Sequence, residues 1–173
     1  ASDKTYDGSV TATMDGTAAV YSGLVSGDTF DGSYTGVFSD ANVGTGKTVT
    51  ITPSYSGADV NNYSVTDQST TTADISAKAL TATASASNKT YDGGTTASTT
   101  LTFTGLVGSE TLGQTVGSTF DNKNVGSNKT VTVNSITLSD GSGLAANYSI
   151  SAGQTTTANI TAKSLTVSGI TAS

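Results

Sequence analysis

The chain has 173 residues, of which only 12% are charged, and it contains seven Lys, no Arg, no His and no Cys at a formal net charge of −6. The absence of cysteine excludes disulfides and thiolate chemistry, and a few dispersed lysines on an acidic chain argue against nucleic acid or anionic lipid as partners. No apolar run reaches the roughly 18 residues of a membrane span, so we expect no membrane insertion.

Alternation of apolar and polar residues predicts short β-strands along the first half of the chain. These strands are predicted over residues 10–13, 19–21, 47–52, 63–66 and 72–77. The only helical element predicted in this half is a short turn over residues 24–30. Asp-Gly, Ser-Gly and Gly-Ser pairs between the runs are typical of tight turns.

The second half carries the same signals in the same order. Strands are predicted over residues 101–103, 130–133, 148–150 and 158–162, with a short helical turn over residues 106–112. Between the halves, residues 80–88 contain neither Pro nor a run of Gly. We therefore expect a last strand that leads into the second half through a short, fairly stiff junction.

The two halves are copies of one repeat. Lys-Thr-Tyr-Asp-Gly at residues 4–8 returns at residues 89–93, and later motifs follow in parallel at a period of about 85 residues. This period divides the chain into a first repeat at residues 1–85 and a second at residues 86–173. Both ends resemble the interior junction, so we expect further copies on either side.

The Tyr-Asp-Gly triplets are candidate structural motifs. They comprise Tyr6, Asp7, Gly8, Tyr91, Asp92 and Gly93. We expect the Tyr ring to be buried with its hydroxyl partnered, the Asp to bond the amide two residues on, and the Gly to adopt a positive φ. Recurrence of the triplet favours a shared folding requirement.

The motifs that recur in order in both halves are Lys-Thr-Tyr-Asp-Gly, Gly-Leu-Val, Asn-Val-Gly, Lys-Thr-Val, Asn-Tyr-Ser and Ile-x-Ala-Lys-x-Leu. This ordered series resembles the YDG-type repeats, which are related to the MBG repeats and occur in tandem in large bacterial surface adhesins of the filamentous-haemagglutinin and high-molecular-weight kind. The resemblance covers essentially the whole chain. It implies an extracellular, secreted, mostly-β stalk on a bacterial surface, with no catalytic role for the motif residues.

The residues suggest two additional features of such a stalk, a Ca²⁺ site and a covalent isopeptide crosslink. Loop aspartates supply the oxygen donors that Ca²⁺ prefers, but their spacing matches no known calcium loop, so we expect no metal or other cofactor. A Lys–Asn or Lys–Asp isopeptide crosslink would suit a mechanical stalk without cysteine. Its candidate amines are Lys4, Lys47, Lys78, Lys89, Lys129 and Lys163, and its candidate amides are Asn42, Asn62, Asn124 and Asn147.

The composition is unsuited to catalysis. There is no His base, no Gly-x-Ser-x-Gly turn and only one Glu, so we predict that the protein is not an enzyme. A binding role in attachment or biofilm formation is the alternative to a spacer. Its candidate contacts for a glycan or protein of a host or another cell are the loop aromatics Tyr21, Tyr34 and Tyr55.

The sequence thus predicts an all-β protein of two tandem elongated modules, each β-grasp-like or an immunoglobulin-like sandwich. The function expected is a spacer that projects a distal adhesive region. Its expected partners are the neighbouring repeats of the same chain. Both fold alternatives need five to seven short strands in this length, so the pattern does not choose between them.

Overall fold

The structure, a computed structural model, describes residues 1–171 and confirms the all-β prediction. Within that range the elements are thirteen strands and two 3₁₀ turns, with no α-helix. The strands are β1 (Lys4–Thr5), β2 (Thr11–Ala12), β3 (Asp31–Phe38), β4 (Gly44–Ser56), β5 (Thr70–Ser76), β6 (Lys78–Ala79), β7 (Thr81–Ala86), β8 (Lys89–Thr90), β9 (Thr99–Thr104), β10 (Leu112–Phe120), β11 (Gly126–Asp140), β12 (Tyr148–Ser149) and β13 (Thr155–Thr161). The 3₁₀ turns are Val60–Asn62 and Ala145–Asn147.

The chain forms two compact units. Unit 1 comprises Ala1–Lys78 and Ala146–Tyr148, and unit 2 comprises Ala79–Ala145 and residues 149–171. Strand β7 therefore belongs to unit 2, although its residues precede the second Lys-Thr-Tyr-Asp-Gly motif.

Unit 1 contains a five-stranded sheet in the order β1-β5-β4-β3-β2. The long hairpin of β3 and β4 is antiparallel and paired throughout, from Asp31 opposite Ser56 to Phe38 opposite Val49. Strand β5 adds antiparallel to β4, and β1 then pairs parallel with β5 through Lys4 opposite Ile75. The first and last strands of this sheet along the chain are thus parallel neighbours.

Unit 2 repeats this arrangement in a four-stranded sheet of order β10-β11-β13-β8. Here β8 pairs parallel with β13 through Lys89 opposite Ile160, and the β2 pairing of unit 1 is reduced to one bridge between Thr96 and Thr119. Unit 2 also has a two-stranded antiparallel sheet of β7 and β9.

The core of each unit lies on one face of its sheet, where alternate strand residues are apolar. In unit 2 a buried cluster is formed by Ala97, Phe120, Val131, Ala158 and Ile160, with Ala86 and Tyr91 packed against it. Unit 1 buries the equivalent Ala12, Phe38, Val49, Ala73 and Ile75. The same positions therefore build both cores.

Several predicted elements are wrong. Residues 19–21 and 63–66 form no strand, and neither predicted helical turn, at residues 24–30 or 106–112, is helical. Strands β3 and β10 were not predicted, because Gly and Ser interrupt their apolar alternation. They form because each is paired along its length with a long neighbouring strand, and this pairing outweighs weak local propensity.

Candidate functional site

Each repeat carries the same lysine clamp, which we define in unit 1 as Lys4, Asp7 and the loop that they enclose. The Lys4 ammonium donates to Asp7 Oδ1 at 2.8 Å, to the Ser9 carbonyl at 2.7 Å and to the Thr11 carbonyl at 3.1 Å. It also lies 5.5 Å from the ring centroid of Phe38, within the range of a cation–π interaction. One side chain thus joins the start of the unit to the loop and the core.

The clamp recurs in unit 2 with nearly the same geometry. Lys89 donates to Asp92 Oδ1 at 2.9 Å and to the carbonyls of Gly94 at 2.8 Å and Thr96 at 3.1 Å, and it lies 5.6 Å from the Phe120 centroid. Because Gly94 replaces Ser9, the contact of Lys4 with the Ser9 hydroxyl has no counterpart in unit 2. The two clamps share the backbone oxygens, one carboxylate and the aromatic ring.

The Tyr-Asp-Gly triplets form the turn inside each clamp. Asp7 accepts the Ser9 amide at 2.8 Å, and Asp92 accepts the Gly94 amide at 2.9 Å, the Asx geometry expected from the sequence. Gly8 and Gly93 have φ of 78° and 85°, which a residue with a side chain rarely adopts. The Tyr6 ring is buried, whereas Tyr91 is half-buried.

The lysine partner also sets the electrostatics of the turn. The hydrogen bond from Lys4, followed by the bond from the Ser9 amide, lowers the pKa of Asp7 to about 2. The bond from Lys89 lowers the pKa of Asp92 for the same reason. Both carboxylates are therefore ionised across the physiological range and are unsuited to act as general acids.

Other acidic side chains serve as oxygen acceptors for backbone amides, and Asn replaces them in the other repeat. Asp3 accepts the Asp74 amide at 2.7 Å, and the equivalent Asn88 accepts the Asn159 amide at 2.7 Å. Since an amide oxygen performs the same task, charge is not needed at this position. Among residues 1–171, no group of three or more His, Cys, Asp or Glu side chains is placed to hold a metal ion.

Two of the lysines suggested for a crosslink, Lys47 and Lys129, lie beside aspartates and not beside the suggested Asn42 and Asn124 amides. Lys47 lies 2.8 Å from Asp40 Oδ1, and Lys129 lies 2.8 Å from Asp121 Oδ1 and 2.7 Å from Asn122 Oδ1. The hydrogen bonds from these lysines lower the pKa of Asp40 and of Asp121. The geometry is that of ion pairs closing the loop before the long strand.

Tyr21, Tyr34 and Tyr55 come together in unit 1, and we name this group the aromatic cleft. The expectation that all three lie in loops is wrong, because Tyr34 is on β3 and Tyr55 is on β4. The Tyr21 ring lies 5.0 Å from Phe30 and 6.4 Å from Tyr55 between centroids, in edge-to-face geometry. Tyr34 joins through its hydroxyl, 2.9 Å from that of Tyr21. The rings border an open cleft of about 350 Å³ that is also lined by Met14, Ile51, Pro53, Val65, Asp67 and Gln68.

Hydrogen bonds fix the hydroxyls of this cleft. Tyr55 donates a hydrogen bond to Asp67, and this bond raises the pKa of Tyr55 to about 12. The bond to Tyr21 raises the pKa of Tyr34. Gly32 makes the arrangement possible, because a Cβ there would collide with the hydroxyls of Tyr21 and Tyr34.

The two long strands of unit 2 do not repeat this arrangement of tyrosines. Strands β10 and β11 contain only one aromatic residue, Phe120, and that ring is in the core. In place of Gly32 the second repeat has Gln114, whose side chain accepts the Leu101 amide at 3.2 Å and donates to the Leu101 carbonyl at 2.7 Å. The aromatic cleft is thus specific to unit 1.

Sequence reasoning overlooked two features of these sites. The clamp role of Lys4 and Lys89 was signalled by the Lys-x-x-Asp spacing that recurs in both repeats. Nothing in the sequence indicated the pairing of Tyr55 with Asp67, since strand β4 and the loop before β5 meet only in the folded unit.

The fold and the lysine clamp together define a tandem-repeat all-β protein. In each unit the same recurring residues join the first strand to the adjacent loop and the core. The family model of the YDG domain matches the chain twice, over residues 1–73 and 76–158, and the chain therefore belongs to the YDG domain family. Searches of curated proteins and of solved structures find no significant match. No helix within residues 1–171 is long and apolar enough to cross a membrane.

Proposed function

We propose that the two YDG units are structural spacer repeats of an extracellular bacterial adhesin and project a distal adhesive region from the cell surface. The observation that carries this proposal is the parallel pairing, in the main sheet of each unit, of the strands that come first and last along the chain. Strand β1 lies beside β5, and β8 lies beside β13. Load applied through the chain would therefore pull these neighbours in opposite directions along their length.

Such a geometry loads the hydrogen bonds between the two strands in shear, so they must break together. Bonds beyond the strand ends extend the ladder. The Tyr6 amide donates to the Ser76 carbonyl at 2.8 Å, and the Tyr91 amide donates to the Thr161 carbonyl at 2.8 Å. The lysine clamp then ties the same segment to the core. The residues that recur in both repeats are thus concentrated at the strand pair that this load would shear.

Single-molecule force spectroscopy through the chain ends tests the proposal. Tyr91→Pro removes both the ring and the donating amide, whereas Tyr91→Ala removes the ring alone. We expect two unfolding events in the native chain and a clearly lower force for one of them in Tyr91→Pro than in Tyr91→Ala. Equal forces in the two variants would contradict a load-bearing role for this ladder.

A glycan array separates the spacer from a binding module. The spacer predicts no selective signal from the native chain. Selective binding that disappears in a Tyr34→Ala, Tyr55→Ala double variant would replace the spacer with a glycan-binding function centred on the aromatic cleft.

A further inference from the structure

Unit 1 includes three residues of the second repeat, Ala146–Tyr148. We name these residues the docking segment. They overlap the second copy of the Asn-Tyr-Ser motif at residues 147–149, and they follow the start of the 3₁₀ turn Ala145–Asn147. Neither the lysine clamp nor the aromatic cleft uses this motif. The first repeat alone therefore does not supply all of unit 1.

Within the docking segment, Asn147 binds the Asn-Val-Gly turn of unit 1. Its side chain is 1% exposed, and its Oδ1 accepts the Val43 amide at 2.9 Å. Its Nδ2 donates to Asn42 Oδ1 at 3.0 Å. Because a backbone amide can only donate, Val43 fixes the orientation of the buried side chain. An asparagine supplies both the acceptor and the donor, whereas a leucine of similar size would leave the two partners unsatisfied.

The turn that receives Asn147 is held in place by bonds within its own loop. The Asn42 amide donates to Asp40 Oδ1 at 2.8 Å, and Lys47 lies 2.8 Å from the same oxygen. In unit 2 the Asn124 amide donates to Asn122 Oδ1 at 3.0 Å in the same way. The conformation of the Asn-Val-Gly turn is thus set locally in each repeat, and in unit 1 it presents a preformed donor and acceptor to Asn147.

The next residue of the docking segment contacts a second motif of the first repeat. The Tyr148 ring packs edge-on against the Tyr6 ring of the Tyr-Asp-Gly triplet, with 5.4 Å between centroids and an interplanar angle of 80°. Both residues are 6% exposed. The Tyr6 amide donates to the Ser76 carbonyl at 2.8 Å, so this ring belongs to the residue that extends the ladder of β1 and β5.

Unit 2 holds the chain on both sides of the docking segment. Just before it, the Ala145 amide donates to Asp140 Oδ1 at 2.7 Å. Just after it, the Ser149 carbonyl accepts the Leu80 amide at 2.8 Å. All four of these residues belong to unit 2. Since only three residues lie between the two anchors, folding of unit 2 restricts their conformations and lowers the entropy cost of burying them in unit 1.

We propose that the docking segment makes the stability of unit 1 depend on the folding of unit 2. Asn147 recognises the Asn-Val-Gly turn through its paired donor and acceptor, and Tyr148 covers Tyr6. Repeat proteins gain stability from such nearest-neighbour terms in addition to the stability of each repeat. Coupling of this kind is reciprocal, so unit 2 is stabilised by the same amount. The inference goes beyond the spacer proposal and does not depend on the adhesin role.

Native-state hydrogen exchange of the whole chain, resolved at single amides by NMR, tests the role of Asn147. The amide to follow is that of Tyr6, because it bonds to Ser76 and not to Asn147. Asn147→Ala should speed its exchange roughly tenfold or more, since two buried partners lose their bonds and unit 1 is weakened. Asn62→Ala is the matched control, because Asn62 has the same motif position and is exposed. Faster exchange at Val43 alone, or an equal effect of the control, would overturn the proposal.

A second variant tests the dependence on unit 2 without changing the docking segment. Val131 is fully buried in the core of unit 2, so Val131→Ala destabilises that unit. We expect Val131→Ala to speed the exchange of the Tyr6 amide in the native chain and in Asn62→Ala, but to add nothing in Asn147→Ala. No change at Tyr6 in the native chain would show that unit 1 is independent of unit 2. The same acceleration in Asn147→Ala would show that the coupling does not pass through Asn147, and either result would refute the proposal.

Discussion

Units 1 and 2 share one repeated sequence, but they differ at one edge. In unit 2 a strand pairs along residues 99–104, whereas in unit 1 none of the described strands pairs with the matching residues 14–21. In unit 2, Leu80 and β7 cover the edge of β9, and Leu101 is buried beneath them. In unit 1 the matching edge at residues 14–21 is irregular and borders the aromatic cleft. The difference teaches that the repeated motifs specify the main sheet and the lysine clamp. The conformation of the edge residues depends instead on whether another strand pairs with them.

The largest contrast is expected between two leucines at the same motif position. Leu80→Ala should destabilise unit 2 by about 2–5 kcal/mol, because a buried side chain is removed and a cavity remains. Leu165→Ala should change stability by less than about 0.5 kcal/mol, because that side chain is exposed. Urea unfolding at a concentration where the chain is monomeric gives both values. Similar losses for the two variants would show that residue 165 is buried in solution.

The lysine clamps should contribute equally to the two units. Lys4→Met and Lys89→Met should each cost about 1–3 kcal/mol, since each removes a charged donor from backbone carbonyls and leaves them unpaired. Lys123→Met is the control, because that side chain is exposed. Differential scanning calorimetry of the variants checks the comparison. If one clamp proves neutral, it is not a shared folding device.

Acid should weaken the clamp of unit 1 in a defined range. The pKa of Asp7 is lowered from 3.8 to about 2, so its contribution is fully present above pH 4 and is lost as the pH falls toward 2. The effect stays below about 1 kcal/mol, because the carboxylate is 53% exposed and water screens it. The difference in unfolding free energy between the native chain and Asp7→Asn, measured from pH 5 to pH 2, should shrink across this range. A constant difference would rule out the ionised carboxylate as the cause.

The smallest effect concerns proton binding in the aromatic cleft. Asp67→Asn should lower the pKa of Tyr55 from about 12 toward 10.0, because the carboxylate that stabilises the protonated phenol is removed. Tyrosinate absorbance followed against pH measures this change. Tyr55→Phe identifies the transition, since the highest-pH phase should disappear in that variant. An unchanged titration in Asp67→Asn would place the two groups apart in solution.

Much of the fold was predictable because its sequence signals lie within short segments and occur in both repeats. Alternating apolar residues located parts of β4, β5, β11 and β13, and the Asp and Gly of the clamp turn act within a few residues of each other. Strands β3 and β10 were missed because Gly and Ser break the alternation in sequences that only pairing with β4 and β11 makes extended. Residues 19–21 have strand-like alternation but pair with none of the described strands, and they are irregular.

The sequence by itself determined an all-β chain of two YDG repeats, since strand periodicity and a recurring motif are properties of neighbouring residues. Tertiary structure alone decided that Lys4 reaches Phe38 and that Tyr55 meets Asp67. It also decided that Leu80 of the first Ala-Lys-x-Leu segment is buried, whereas Leu165 of the second is exposed. The physical reason is that burial depends on what packs against a segment, and two nearly identical segments can have different neighbours.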